Sequence, residues 1–209
     1  MLFVTGYHAS GKSEISKILV NDFNLLHIET SALVRQAHHL DAPHMPLGAW
    51  AKRMEHDYGS TVFDDLIADT TMTQLTIDAD RGWYYDDIVI SGNRSYDGIS
   101  YITERLREYG APIRHEQSIL LIETPIEALY DRFRQRDREE GDKSMSFEEF
   151  ITVMDAERDR GIEAIIEHAT HRINNSGGTR ALRDSIYTFA RDARYTPREP
   201  HEDERFRHV

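Results

Sequence analysis

The chain has 209 residues, of which 39% are apolar, and a formal net charge of −12; that is enough for one core. A surface this acidic repels duplex phosphates and argues against a duplex-binding protein, while clustered arginines leave room for a local phosphate pocket. The absence of cysteine excludes disulfides, thiolate metal sites and cysteine nucleophiles, and no apolar run reaches the roughly eighteen residues that a membrane span needs.

No basic leader precedes Met1-Leu2-Phe3-Val4-Thr5, so the expected location is the cytoplasm. That short apolar run, bounded by Gly6, predicts a buried first strand. Ile15, Ile18 and Leu19 recur at helical spacing and predict a helix from Lys12 to about Asp22. Leu25-Leu26-His27-Ile28 predicts a second strand, followed by helix over 31–40, a break at Pro43 and Pro46, and helices over Leu47–Tyr58 and Thr61–Ile77. Ile88-Val89-Ile90 predicts a third strand and Ser118-Ile119-Leu120-Leu121-Ile122 a fourth. Thr124-Pro125-Ile126-Glu127 has the form of a capping box with proline at the first helical position, and Ser146-Phe147-Glu148-Glu149 is a second box. Arg172-Ile173-Asn174 predicts a short fifth strand, and the polar residues from Tyr195 onward predict a disordered tail over 195–209.

Strands separated by helices imply an α/β fold with a mostly parallel, doubly wound, five-stranded sheet between helical layers. The stretch 36–82 has no strand and is expected to be a helical insertion over one edge of the site.

Gly6-Tyr7-His8-Ala9-Ser10-Gly11-Lys12-Ser13 matches G-x-x-x-x-G-K-[ST] and lies between a predicted strand and a predicted helix, the placement that the phosphate-binding P-loop requires. Glycines let backbone N–H groups converge on a polyphosphate, and the helix N-terminus adds its positive dipole end. Lys12 is expected to reach the β- and γ-phosphates of ATP, and the Ser13 hydroxyl to coordinate Mg²⁺.

Further arginines extend the pattern. Thr30-Ser31-Ala32-Leu33-Val34-Arg35 follows the second strand, Ser91-Gly92-Asn93-Arg94 follows the third, and Arg132, Arg134, Arg136 and Arg138 precede Asp155-Ala156-Glu157-Arg158. Over about Met1–Leu182 these segments and the P-loop resemble the nucleoside-monophosphate kinase group, which includes adenylate, cytidylate and dephospho-CoA kinases, and most of all an uncharacterised archaeal adenylate-kinase-like family. The resemblance implies a three-layer P-loop kinase domain over 1–194, with 36–82 as acceptor-binding insertion and 136–160 as an arginine-rich lid. It implies that Arg35 and Arg94 grip the acceptor, that Arg136, Arg138 and Arg158 close over the transferring phosphoryl group, and that Asn175 helps to seat adenine. Two departures stand out. Ser31-Ala32 replaces a Gly-Asp pair, and Ser91 replaces the strand-three aspartate of the Mg²⁺ shell; Glu29, at the end of the second strand, is a nearby carboxylate that could substitute. Each arginine also has an ordinary alternative as a solvated or salt-bridged surface residue.

The function expected is ATP·Mg²⁺-dependent phosphoryl transfer to a small acceptor, first a (deoxy)nucleoside monophosphate. A hydroxymethyl-pyrimidine, free or in DNA, a sugar or dephospho-CoA is the alternative acceptor. A nucleotide-binding regulatory ATPase that transfers nothing is the alternative from another class. The eleven histidines show no metal spacing, and His38, His39 and His44 are expected at the surface or in a substrate pocket.

Overall fold

The computed structural model describes residues 1–93, 95–111, 113, 117–135, 145–159 and 161–197. Five strands, β1 (Leu2–Thr5), β2 (Leu25–Glu29), β3 (Asp87–Ser91), β4 (Ser118–Glu123) and β5 (His171–Asn174), form one sheet in the order β2-β3-β1-β4-β5. Every pairing is parallel. The described helices are α1 (Lys12–Phe23), α2 (Thr30–Asp41), α3 (Leu47–Tyr58), α4 (Val62–Asp80), α5 (Tyr96–Glu108), α6 (Ile126–Arg134), α7 (Phe147–Asp159), α8 (Ile162–Glu167) and α9 (Thr179–Asp192).

A parallel sheet needs cover on both faces, and alternation along each strand supplies an apolar set to each. Leu2, Val4 and Val89 pack with Ile15 and Leu19 of α1 and with Leu182 and Ile186 of α9. Phe3, Ile88 and Ile90 point the other way, onto Ile67 and Leu75 of α4 and Ile99, Ile102 and Leu106 of α5. The α4 stretch, expected to lie in the insertion, thus forms part of a sheet-covering layer. A third, smaller core joins Ala9 of the phosphate loop to Leu129 and Phe133 of α6 and Phe150 and Met154 of α7.

Strand β1 is central, and the chain leaves it toward β2 on one side and later reaches β4 on the other, so the loop after β1 sits where the strand order reverses. In open α/β sheets that point, at the carboxyl ends, is where ligands bind. The register brings Val4 and Glu29 level with Ser91 on either side of β3.

Several local expectations change. Helices α5 and α9 were not apparent in the sequence. Pro125 is the residue before α6 rather than its first helical residue, and Thr124 makes no cap; its hydroxyl donates to Ser10 O at 3.3 Å. The second box forms reciprocally: Ser146 N–H donates to Glu149 Oε2 at 2.7 Å and Glu149 N–H to Ser146 Oγ at 3.2 Å. The polar tail does not begin at residue 195. Tyr195 is buried and its hydroxyl donates to Asp87 Oδ2 at 3.2 Å, beside the Met1 amino group at 2.9 Å from Asp87 Oδ1. Among the described residues no helix is long and apolar enough to cross a membrane.

Candidate active site

The loop Gly6–Ser13 joins β1 to α1 in a conformation that its glycines make possible. Gly6 has φ +146°, and a Cβ there would lie 2.6 Å from Ser10 Oγ and 2.8 Å from Ile122 O. Gly11 has φ +102°, and its Cβ would lie 2.4 Å from Asn175 Nδ2. A side chain at either position meets both backbone strain and a neighbour that is itself held.

The loop is braced from three directions. Asn175, buried just past β5, donates from Nδ2 to Ser10 O at 2.7 Å. Its backbone N–H donates to Glu123 O at 2.7 Å, and its carbonyl accepts from Arg132 Nη2 at 2.8 Å. From α7, the buried Glu157 accepts the His8 backbone N–H at 3.0 Å on Oε2 and lies 3.2 Å from His8 Nε2 on Oε1. Arg158, exposed, reaches Tyr7 OH at 3.4 Å and pairs with Asp155 at 2.8 Å and Glu163 at 3.6 Å. Lys12 Nζ donates to Gly6 O at 2.6 Å and Tyr7 O at 2.8 Å, folded across the mouth of its own loop.

On the other side of the loop, Arg35 is exposed on α2 and its Nη2 donates to Ser31 Oγ at 3.1 Å. Ser31 Oγ in turn donates to Glu29 Oε1 at 3.0 Å. Arg35 is thus folded back one turn toward the carboxyl end of β2, linked to a carboxylate through a hydroxyl. Ser91, buried at the end of β3, shares a 2.8 Å hydrogen bond with His27 Nε2. Burial pushes the His27 pKa down, against a weaker opposing pull from Glu29, and favours the neutral ring. Asp64, in the first turn of α4, has its pKa raised to about 6, chiefly by burial and then by Asp65.

The structure therefore gathers Gly6 to Ser13, Asn175 and Arg158 around one loop, with Arg35 facing the same carboxyl edge. Arg94, Arg136 and Arg138 lie outside the described residues. The sequence did not single out Glu157, Arg132, His27 or Asp64 as site residues. Glu157 and Arg132 had a visible signal, their places in the Asp155–Arg158 charge cluster and in the arginine run 132–138. Among the described residues no group of three or more His, Cys, Asp or Glu could hold a metal by itself; His38 Nε2 instead bonds Met45 O at 2.7 Å.

No protein-family model matches the chain, and no curated protein matches it by sequence. Solved structures do. Shikimate kinase from Bacteroides thetaiotaomicron superimposes with a TM-score of 0.56 at 14% identity, over 92% of this chain and 97% of its own. The chain has the P-loop kinase fold. The Deinococcus radiodurans tunicamycin resistance protein matches with a TM-score of 0.55 at 15% identity, over 95% of this chain and 98% of its own. TT1252 from Thermus thermophilus gives 0.53 at 17%, over 91% and 96%. At such identities the likeness concerns the fold alone. The braces around Gly6–Ser13 are this chain's own evidence for a site.

Proposed function

We propose that the protein is an ATP-dependent phosphotransferase that moves the γ-phosphoryl group to a small acceptor. The observation that carries this reading is the loop itself: two glycines in conformations that a side chain would strain, at the N-terminus of α1, with a lysine amine held over the opening. Backbone N–H groups in such a nest and the helix dipole favour a polyphosphate, and Lys12 would exchange two carbonyl partners for phosphate oxygens. Transfer of a phosphoryl group needs chiefly positioning and positive charge. Arg158, already against Tyr7, and the arginines expected at 136 and 138 are suited to that task.

The residues present fit a magnesium ion bound mainly through phosphates, since Mg²⁺ takes only one or two protein groups in such sites. Ser13 would hold it, and Glu29, level with Ser91 across the β2–β3 pairing, would supply the carboxylate that Ser91 lacks. When bound, the ion neutralises charge on the β- and γ-oxygens. This chain's own residues bind and orient the nucleotide and shield it through the α6–α7 core.

Arg35 favours a nucleoside monophosphate as acceptor, because a guanidinium takes a phosphate dianion in a fork. A second reading, an alcohol acceptor such as a sugar, a hydroxymethyl-pyrimidine or dephospho-CoA, is favoured by the carboxylates of Glu29 and Asp64 at the same edge. The likeness to shikimate kinase and a tunicamycin resistance protein adds shikimate and tunicamycin as compounds to try. The test is ADP release from Mg·ATP with nucleosides, nucleoside monophosphates, dephospho-CoA, shikimate, tunicamycin and hydroxymethyl-pyrimidine DNA. An acceptor that raises turnover above the basal rate, with Lys12→Ala inactive, supports the proposal; a panel with no effect removes it.

A further inference from the structure

Helix α4 has 19 residues and β3 has five. At about 1.5 Å per helical residue and about 3.3 Å per strand residue, α4 is roughly 28 Å long against roughly 17 Å for the strand. Its C-terminal end is fixed near the amino edge of the sheet: Tyr85 OH donates to Asp78 Oδ2 at 2.7 Å, and Asp86 N–H donates to Asn24 O at 3.0 Å, just before β2. The N-terminal turn of α4 therefore stands at and beyond the carboxyl edge, the edge of the phosphate loop.

The buried stripe of α4 runs Asp78, Leu75, Thr71, then Ala68 and Ile67. One turn further toward the carboxyl edge the same stripe reaches Asp64. There the apolar cover of the sheet ends and a carboxylate takes its place. Both oxygens lie against the first turn of α5, at 2.9 and 3.1 Å from where a Cβ on Gly98 would be, so a side chain at that position would displace the carboxylate from where it stands. Ser95 caps that helix, and its hydroxyl accepts Gly98 N–H at 3.0 Å. Two residues earlier, Asn93 Oδ1 is buried without a hydrogen-bond partner among the described residues.

Asp64 differs from its neighbour. Asp65 is bonded by Thr61 Oγ1 at 3.2 Å and Tyr101 OH at 2.7 Å, with Arg105 Nε at 3.5 Å. The tyrosine and arginine of α5 are thus turned to Asp65. Among the described residues Asp64 has no hydrogen-bond or ion-pair partner, and Asp65 is the charged group that acts on it. A half-buried carboxylate left unbonded costs stability and is retained where something else binds it. The groups that satisfy a carboxylate and an amide oxygen are O–H and N–H donors, and a phosphate dianion offers neither.

We propose that Asp64 receives the proton of the acceptor's attacking hydroxyl, so that the second substrate is an alcohol. This rests on the phosphotransferase function proposed above and decides between its two acceptor classes. The acceptor oxygen forms the new bond to the γ-phosphorus, and its proton passes to a carboxylate oxygen of Asp64. The bond from the γ-phosphorus to the bridging oxygen breaks, and its electron pair leaves with ADP. A carboxyl group titrating at about 6 is ionised at neutral pH and basic enough to serve.

The test follows ADP release from Mg·ATP in the wild type, Asp64→Asn and Asp64→Glu. The arms are water alone; shikimate, uridine and glycerol as alcohols; and UMP and AMP as phosphates. Turnover with water or an alcohol is expected to rise with pH through about 6 in the wild type. In Asp64→Asn it should fall about a hundredfold and lose that step, with partial recovery in Asp64→Glu. ADP affinity by calorimetry, unchanged within about twofold, shows that the fold and the loop are intact. Acceleration by UMP or AMP alone, or an Asn variant that keeps the rate and the step, overturns the role of Asp64 and leaves the phosphotransferase standing. No ADP release in any wild-type arm overturns both.

Discussion

Replacing Gly11 by alanine tests whether the phosphate loop is held by its contact with Asn175. The substitution imposes two separate costs. Alanine at φ +102° is in the left-handed half of conformational space, worth about 1–2 kcal/mol. The new Cβ would also lie 2.4 Å from Asn175 Nδ2, which is fixed by its bond to Ser10 O. Relieving that overlap means moving the amide and weakening a buried hydrogen bond, about 1–2 kcal/mol more. Gly11→Ala should therefore lose about 2–4 kcal/mol, or about 4–16 °C in Tm at roughly 2–4 °C per kcal/mol for a chain of this size. Asn175→Ala alone should lose about 1–2 kcal/mol, the low end for a buried carbonyl because Thr124 still donates to Ser10 O. In the double variant the overlap is gone and only strain and the lost bond remain, so its loss should be smaller than the sum by about 1–2 kcal/mol. Urea denaturation of the four proteins measures this coupling. Additivity within about 0.5 kcal/mol would show that the two positions do not meet as described.

Three other outcomes follow from the same geometry. Glu157→Gln keeps one oxygen for the His8 N–H and removes a buried charge facing the imidazole, so ADP binding by calorimetry should weaken about three- to tenfold; unchanged affinity would separate α7 from the loop's shape. Asp87→Asn breaks a buried group that joins the Met1 amine and Tyr195, and denaturation should show a loss of about 3 kcal/mol, with a loss below about 1 kcal/mol counting against that cluster. Asp64 has a folded pKa raised to about 6 from an ordinary 3.8, so the folded state favours its protonated form and stability is lost as pH rises between those values. Partial exposure reduces the full linkage figure to about 1 kcal/mol. Asp64→Asn should accordingly be about 1 kcal/mol more stable than the wild type at pH 8 and equal to it at pH 4; a variant less stable at pH 8 would mean that Asp64 is a structural anchor.

What could be read in the sequence was local. Gly6–Ser13 combines strand, loop, lysine and helix within thirteen residues, and the apolar runs of β1, β3 and β4 are buried on both faces, so composition alone marks them. Helices α5 and α9 escaped because Gly98 and Thr103 interrupt one apolar stripe and charged residues dilute the other, whereas packing against the sheet decides both. The braces of the loop escaped for a different reason. His8 and Glu157 are 149 residues apart, and Asn175 and Ser10 are 165 apart, distances that no spacing rule spans. Ser91 was visible as a departure, but its bond to His27 depends on the β2–β3 register. Tyr195 read as tail because its neighbours are polar, and its burial against Asp87 is set by the turn after α9. Thr124 matched a capping pattern and is instead turned to the loop, where its hydroxyl is a second donor to Ser10 O beside Asn175.

Everything proposed for catalysis depends on nucleotide polyphosphate binding at Gly6–Ser13, and calorimetric titration of Mg·ADP into the wild type and Lys12→Ala measures that directly. Lys12 is expected to leave the Gly6 and Tyr7 carbonyls for phosphate oxygens, so the wild type should bind, and the variant should lose at least about tenfold in affinity, about 1.4 kcal/mol. Equal affinity in the two proteins, or none in the wild type, would contradict the account.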